Sequence, residues 1–202
     1  MNFFKKSIFI KSVDKVSNKP EKHLSEVLFV GKSNVGKSSL INALVNNSKL
    51  AYTSSKPGHT RLLNYYLIED EFYFVDCPGY GFSAKKDFDY EKYGNLVEDY
   101  FDENPDLKLI IFLLDSRHEP TLDDIDFFGF LNEYHYKYII CMTKCDKLNQ
   151  SMKAKIKKNL NNTLGDVSNI DMVLTSIKDK RSIENLVNLI TSNIRGKEDG
   201  VR

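Results

Sequence analysis

Residues 31–38 have the types and spacing needed to bind phosphate, because two glycines separated by four residues precede a lysine and a serine. Gly31 and Gly36 let the backbone bend closely around an anion, and consecutive N–H groups can then point at phosphate oxygens. Lys37 is expected to bridge a β- and a γ-phosphate, and the Ser38 hydroxyl to hold Mg²⁺. A buried strand is predicted before the loop and a helix after it, which is the context that this motif requires.

A second segment, Thr143-Lys144-Cys145-Asp146, predicts which base is bound. Guanine presents N1–H and an exocyclic amine side by side, and one carboxylate, Asp146, can accept both hydrogen bonds, whereas adenine has no such pair of donors. Lys144 can lay its alkyl stem over the base, and Thr143 stands where many GTPases carry Asn. Placed about a hundred residues after a phosphate loop, the segment predicts a guanine nucleotide. The segment Thr175-Ser176-Ile177 can offer backbone N–H groups to the guanine carbonyl.

Two further loops have the chemistry of a nucleotide-dependent switch. Asp76-Cys77-Pro78-Gly79 follows a predicted strand, so Asp76 can hold Mg²⁺ through water and the Gly79 N–H can sense a γ-phosphate. Thr60 lies in a Ser-, Pro- and Gly-containing loop between the first helix and the next strand. Its hydroxyl can complete the Mg²⁺ shell when GTP is bound.

The catalytic groups are less complete than the binding groups. Tyr80 follows Gly79, where many GTPases place a Gln that orients the attacking water, and a tyrosine cannot copy that amide. Intrinsic hydrolysis is therefore expected to be slow. Asn34 has two interpretations that the sequence leaves open: its side-chain oxygen holds a K⁺ that stabilises developing charge, or Asn is there because it tolerates a turn. The candidate catalytic residues are Lys37, Thr60 and Asn34.

The elements that position these residues alternate between strand and helix, which favours an α/β fold with a mostly parallel sheet. Apolar runs predict six strands, at residues 26–30, 62–68, 72–75, 107–114, 138–142 and 172–174. Apolar residues at helical spacing predict helices at 38–46, 90–101, 122–134, 151–164 and 182–194. The expected organisation is an N-terminal extension over residues 1–22 that packs on the domain, a nucleotide-binding domain over 23–195 and a flexible tail over 196–202.

Composition indicates a soluble, cytoplasmic protein. Hydrophobic residues make up 41% of the 202 residues and charged residues 28%, and a formal net charge of +1 gives no reason to expect a protein that coats nucleic acid. Three cysteines without a secretory signal favour a reducing compartment over a disulfide scaffold. The longest apolar run, residues 109–114, is too short to span a bilayer, so no membrane contact is expected.

Four segments together resemble the EngB (YihA/YsxC) family of bacterial P-loop GTPases, and the resemblance covers nearly the whole chain. They are Gly31-Lys32-Ser33-Asn34-Val35-Gly36-Lys37-Ser38-Ser39-Leu40-Ile41-Asn42, Pro57-Gly58-His59-Thr60, Asp76-Cys77-Pro78-Gly79-Tyr80-Gly81 and Asp115-Ser116-Arg117-His118-Glu119-Pro120-Thr121. The resemblance implies a single Ras-like domain with a six-stranded sheet and helices on both faces. It also implies a role in assembling the large ribosomal subunit, with rRNA and ribosomal proteins as partners, and a link to cell division and septation.

The resemblance further implies where GTP or GDP and Mg²⁺ bind. Carried over by position, nucleotide contacts fall on Gly31, Lys32, Ser33, Asn34, Val35, Gly36, Lys37, Ser38, Gly58, His59, Thr60, Arg61, Leu62, Asp76, Cys77, Pro78, Gly79, Thr143, Lys144, Cys145, Asp146, Thr175, Ser176 and Ile177. Mg²⁺ contacts fall on Ser38 and Thr60, with Asp76 acting through water. Arg117 and His118 either contact rRNA or a partner, or shape the loop that follows their strand.

The sequence leaves three classes of function to be compared. The first is a GTP-hydrolysing switch that visits a ribosomal precursor. The second is a binding module that cycles by nucleotide exchange and hydrolyses little without a partner or K⁺, an alternative that Tyr80 supports. In either case the protein is expected to be a monomer. The third, an ATP-dependent small-molecule kinase, is disfavoured because Asp146 selects guanine.

Overall fold

The protein alternates strands and helices along the chain, in a computed structural model that describes residues 3–52, 62–81, 90–102 and 104–195. These described residues form seven strands: β1 Ser7–Val13, β2 Ser25–Gly31, β3 Leu63–Ile68, β4 Phe72–Asp76, β5 Leu107–Asp115, β6 Tyr138–Thr143 and β7 Met172–Leu174. They also form five α-helices: α1 Lys37–Leu44, α2 Tyr90–Asp102, α3 Leu122–Glu133, α4 Gln150–Leu164 and α5 Lys180–Ile194. The α/β class and the mostly parallel sheet are confirmed.

All seven strands belong to one sheet, in the order β1-β3-β4-β2-β5-β6-β7. Strand β1 pairs antiparallel with β3, and β3 antiparallel with β4. The pairs β4/β2, β2/β5, β5/β6 and β6/β7 are parallel. Because the chain places β4 on one side of β2 and β5 on the other, the strand order reverses at β2, which is where open α/β sheets bind ligands.

The prediction of six strands was wrong by one, because the N-terminal segment contributes β1 to the edge of the sheet. Its apolar residues Ile8, Phe9 and Ile10 are consecutive and exposed, so they lack the alternation that marks a half-buried strand. A register shift between Phe9 and Lys11 further breaks the period of two. Only the hydrogen bonds to β3 reveal this strand.

The sheet is covered by helices on both faces. One face packs against α2, α3 and α4 through a cluster that includes Tyr100, Phe127 and Ile156. The other packs against α1 and α5 through a cluster that includes Leu40 and Leu186. Strand β5 is buried on both faces, in agreement with its unbroken apolar sequence.

A buried carboxylate at the amino end of β2 ties the N-terminal segment to α2. Glu26 is 2% exposed, and it accepts hydrogen bonds from the Tyr100 hydroxyl at 2.5 Å and from Asn104 Nδ2 at 2.8 Å. The Lys19 ammonium lies 3.9 Å from its other oxygen. Burial raises the pKa of Glu26, and these partners only partly offset that effect. Residues 196–202, which were predicted to form a flexible tail, lie outside the described residues.

Candidate guanine-nucleotide site

The predicted site residues lie where the carboxyl ends of the parallel strands meet. Strand β2 ends at Gly31, β4 at Asp76, β5 at Asp115 and β6 at Thr143. Parallel strands bring these ends to one edge of the sheet, and loops that leave this edge lie next to each other. Residues separated by more than a hundred positions in the sequence are thereby brought into hydrogen-bonding contact.

The phosphate loop turns directly into α1 at a glycine. Gly36 has φ +108°, a left-handed conformation that side chains strain, and it is the N-cap residue of α1. The first residues of the helix are Lys37 and Ser38, so their side chains and the helix N-terminus share one location. This is the arrangement that attracts phosphate groups.

Lys37 and Ser38 both reach the carboxylate of Asp76 at the end of β4. The Lys37 ammonium pairs with Asp76 Oδ1, and the Ser38 hydroxyl donates to Oδ2 at 3.2 Å. Hydroxyl and carboxylate oxygens are the ligands that Mg²⁺ prefers, usually in company with water and substrate phosphates. Ser38 and Asp76 therefore fit a magnesium site beside the phosphate loop.

The loop after β4 lies against the phosphate loop. The Ser33 amide donates to the Tyr80 carbonyl at 3.0 Å, and Lys32 and Tyr80 form an isolated parallel bridge. A Cβ on Gly79 would lie 2.7 Å from the Ser33 hydroxyl and 3.0 Å from the Ser33 amide nitrogen. Glycine is therefore needed at position 79 for the two loops to approach this closely.

Tyr80 points into the core, towards α3. Its side chain is 7% exposed, its hydroxyl donates to Asp124 Oδ1 at 2.8 Å, and its ring stacks on Phe127 with 5.0 Å between centroids. The hydroxyl therefore donates its hydrogen bond to α3.

The structure shows the direction of the Lys32 side chain and the backbone conformation of Asn34, both in the phosphate loop. The Lys32 ammonium donates to Thr121 Oγ1 at 3.1 Å and pairs with Asp123 at 3.0 Å, so its side chain points towards the start of α3. Asn34 has φ +65°, a left-handed conformation that Asn tolerates better than most residues. The left-handed backbone gives Asn34 a structural role, and binding of K⁺ by its side-chain oxygen stays a prediction.

Thr143 joins the base-recognition segment to the phosphate loop. Its hydroxyl donates to the Val35 carbonyl at 2.8 Å and lies 3.2 Å from the Leu114 carbonyl, and the residue is 5% exposed. A threonine therefore forms the connection between these loops, although many GTPases have Asn at this position.

Lys144 makes a second connection between the same loops. It has φ +59°, and its ammonium donates to the Asn34 carbonyl and to Asp115 Oδ2, both at 2.8 Å. Its Cε would lie 3.9 Å from a Cβ on Gly36. The alkyl stem is thus held alongside the phosphate loop, which is the placement needed to cover a bound base.

Asp146 lies beside the segment that follows β7. Its Oδ1 accepts a hydrogen bond from the Ser176 hydroxyl at 2.8 Å, and the Lys178 ammonium is 3.7 Å from Oδ2. The hydrogen bond from Ser176 lowers the pKa of Asp146, so the group is an anionic acceptor at neutral pH. A cleft of about 110 Å³ opens here, lined by Val35, Gly36, Ser39, Leu40, Thr143, Lys144, Asp146, Thr175, Ser176 and Ile177.

Part of the backbone after β7 already forms hydrogen bonds within the protein. The Thr175 amide donates to the Met142 carbonyl at 2.8 Å, and the Ser176 amide to Ser182 Oγ at 3.0 Å. Ile177 is 57% exposed at the rim of the cleft. Of these three residues, Ile177 is therefore the most accessible to a base.

The remaining predicted contacts include two buried cysteines, one exposed residue and four residues that the structure leaves undescribed. Cys77 and Cys145 are buried, and their amides donate to the carbonyls of Phe29 and Thr175, so they support the loops. Leu62 is 36% exposed at the start of β3. The predicted switch residues Gly58, His59, Thr60 and Arg61 lie outside the described residues.

Comparisons with known proteins decide the family. A sequence model of the family described as "50S ribosome-binding GTPase" matches residues 26–144. The "Probable GTP-binding protein EngB" of Clostridium kluyveri is 43% identical over 190 residues, covering 94% of this chain and 96% of that protein. The same-named protein of Geobacillus kaustophilus is 42% identical, covering 85% of this chain and 88% of its own. The chain belongs to the EngB family of P-loop GTPases.

Solved structures agree with the EngB fold. A crystal structure of a probable GTP-binding protein EngB has a TM-score of 0.64 at 22% identity, covering 85% of this chain and 99% of that one. Era of Aquifex aeolicus, bound to GDP and AlF₄⁻, has a TM-score of 0.66 at 23% identity, covering 86% of this chain and 57% of that one. At these identities the likeness concerns the fold alone.

Sequence reasoning about this EngB-family chain did not assign a site role to Asp115. The residue lies at the end of β5, between Lys144 and Arg117, and both cations donate to its carboxylate. Burial opposes its ionisation, but hydrogen bonds from Arg117 and Lys144 outweigh burial and hold the pKa of Asp115 well below its usual range. The sequence feature that could have indicated this role is an Asp at a strand end followed two residues later by an Arg.

Among the residues that the structure describes, no helix is both long and apolar enough to cross a membrane.

Proposed function

We propose that this GTPase binds GDP and GTP in the cleft beside Asp146 and acts as a cytoplasmic, monomeric switch in assembly of the large ribosomal subunit. The observation that carries the proposal is the joining of the base segment to the phosphate loop by Thr143 and Lys144. The match to a family described as a 50S ribosome-binding GTPase supports the choice of partner. Following the family resemblance, we also propose that normal cell division and septation depend on this role.

Each residue of the site is proposed to make a different contact with the nucleotide. Asp146 accepts the paired donors of guanine, Lys144 covers the base, and the exposed Ile177 offers its amide to the guanine carbonyl. The amides of the phosphate loop and the Lys37 ammonium hold the β- and γ-phosphates at the N-terminus of α1. Adenine lacks the donors that Asp146 requires, which disfavours the ATP-dependent kinase alternative.

Magnesium is proposed to be held by Ser38 and Thr60 directly, and by Asp76 through water. When bound, Mg²⁺ neutralises charge on the phosphate oxygens. The close approach of Gly79 to Ser33 supports the proposal that the Gly79 amide senses a γ-phosphate bound by the phosphate loop. A change from GTP to GDP would thereby be transmitted to the residues that precede α2 in the chain.

Intrinsic hydrolysis is proposed to be slow. The Tyr80 hydroxyl donates to Asp124 in the core, so this residue does not supply the water-orienting group that many GTPases have at this position. A K⁺ held by the side-chain oxygen of Asn34 is proposed to supply part of the missing charge stabilisation. The same observation favours the alternative of an exchange-driven module whose hydrolysis is negligible until a ribosomal particle completes the site.

Co-sedimentation with large ribosomal subunits tests the proposal. The protein is expected to pellet with the subunits to different extents in GDP and in a non-hydrolysable GTP analogue. The matched variant Asp146→Asn should lose this nucleotide dependence in guanine nucleotides and regain it in xanthine nucleotides. Equal absence from the pellet in both nucleotides would contradict the proposed partner. Turnover measured with and without subunits then distinguishes the hydrolysing switch from the exchange-driven module.

A further inference from the structure

We propose that Asp115 is a positioning residue of the guanine site: together with Arg117 it fixes Lys144 against the phosphate loop, and so sets how long the protein retains its nucleotide. The inference rests on the guanine site of the proposed function. It concerns residues at the end of β5 that the nucleotide does not need to touch.

Arg117 holds the Asp115 carboxylate in one orientation. The Arg117 Nε donates to Oδ1 at 2.9 Å, its Nη2 donates to Oδ2 at 2.7 Å, and its backbone amide donates to Oδ1 at 3.1 Å. A bidentate guanidinium and a backbone donor together fix both carboxylate oxygens. The side chain of Asp115 is only 18% exposed, which limits competition from water.

The fixed carboxylate in turn holds Lys144. The Lys144 ammonium shares its donors between Asp115 Oδ2 and the Asn34 carbonyl, both at 2.8 Å. These acceptors come from different segments, the end of β5 and the phosphate loop. Because a lysine side chain has four rotatable bonds, two fixed acceptors at its end restrict its stem far more than one acceptor does.

The charges of the three residues require Asp115 to stay ionised. The carboxylate lies between two cations, so its removal would leave Arg117 and Lys144 to repel each other across the same space. Hydrogen bonds from both cations hold the pKa of Asp115 well below its usual range, against the effect of burial. The connection therefore persists throughout the physiological pH range.

The consequence for the nucleotide follows from the place of Lys144. Its stem passes the phosphate loop near Gly36 and lines the cleft that Asp146 borders. Released from Asp115, the ammonium keeps only the Asn34 carbonyl, and the stem gains rotational freedom that base binding must then remove. The expected effect is faster nucleotide release, because most losses of contact in a binding site appear in the dissociation rate.

Stopped-flow release of a fluorescent GDP analogue from the full-length protein tests the inference. Asp115→Asn is expected to speed release on the order of tenfold, as loss of a charge-assisted hydrogen bond predicts. Arg117→Gln leaves the Asp115–Lys144 contact in place but less fixed, so release should speed by about threefold. Glu71→Gln, which removes a surface ion pair with Arg195, is the matched control and should not change release.

A double-mutant cycle with Lys144→Met separates positioning from general destabilisation. If Asp115 acts through Lys144, Asp115→Asn should change release by less than about twofold in the Lys144→Met background. Full additivity of the two changes, or unaltered release from both Asp115→Asn and Arg117→Gln, would overturn the inference. Because Arg117 is half-exposed, its variant provides the measurement if Asp115→Asn folds poorly. Failure of the wild type to bind GDP at all would instead contradict the proposed function.

Discussion

The Tyr80 hydroxyl donates a hydrogen bond to Asp124 Oδ1 at 2.8 Å, so the residue after Gly79 connects the loop that follows β4 to helix α3. Asp124 also caps the N-terminus of α3. Its other oxygen accepts hydrogen bonds from the backbone amide and the hydroxyl of Thr121, both at 2.8 Å. The tyrosine therefore has a structural role at a position that in many GTPases is catalytic.

Tyr80→Phe is expected to lower stability without changing GTP turnover. The variant keeps the ring that stacks on Phe127 and removes one buried hydrogen bond, which predicts a loss of about 1 kcal/mol in the free energy of unfolding. Chemical denaturation measures the loss, and phosphate release at saturating GTP measures turnover. A large fall in turnover with unchanged GTP affinity would show that the hydroxyl takes part in hydrolysis.

Asp146→Asn is expected to exchange guanine for xanthine specificity. The carboxylate that accepts the paired donors of guanine becomes an amide, so GTP affinity should fall on the order of a hundredfold while affinity for XTP rises. Equilibrium titration with fluorescent nucleotides checks both changes. Asp166→Asn, at an exposed aspartate that bonds within its own loop, is the matched control. An unaltered GTP affinity in Asp146→Asn would remove the basis of the guanine assignment.

Thr143→Val is expected to lower both stability and nucleotide affinity. Valine nearly preserves the shape of the side chain but leaves the Val35 carbonyl without its donor, which predicts a loss of about 1–3 kcal/mol in the free energy of unfolding. Thr143→Ser keeps the hydroxyl and should lose much less. Thermal unfolding and GDP titration of the two variants make the comparison; a loss in Thr143→Val no larger than that in Thr143→Ser would contradict the role assigned to the hydrogen bond.

Asn34→Gly tests whether Asn34 serves as a K⁺ ligand or as a turn residue. Glycine adopts φ +65° without strain, so the backbone should be retained while the side-chain oxygen is lost. Wild-type hydrolysis is expected to be at least about tenfold faster in KCl than in NaCl, and this difference should vanish in the variant. Equal wild-type rates in the two salts would leave the turn as the role of Asn34.

Glu26→Gln is expected to become progressively more stable than the wild type as the pH rises. Burial raises the pKa of Glu26 from 4.5, so the folded state binds a proton that the unfolded state releases at lower pH. The stability that this proton provides is complete below pH 4.5 and is lost as the pH rises through the raised pKa. Melting temperatures from pH 4 upward check the trend, with Glu71→Gln as a surface control. A constant difference across that range would contradict it.

The amino-acid sequence determined the α/β class, six of the strands and the chemistry of the phosphate loop. These features are local: residues 31–38 are consecutive, and the glycines, the lysine and the start of α1 act within a few residues of one another. Strand β1 was missed because its exposed, consecutive apolar residues lack an alternating pattern. Its pairing with β3 depends on a partner fifty or more residues away along the chain.

Only the tertiary structure decided how the loops of the site are joined. The register of β5 on β6 places Asp115 opposite Thr143, and so brings Lys144 to the carboxylate that Arg117 holds. Both strands are almost wholly apolar, so their sequences fit several registers and do not specify this one. The sequence supplied a lysine and an aspartate suited to guanine. Packing of the sheet supplied the second carboxylate that fixes the lysine in place.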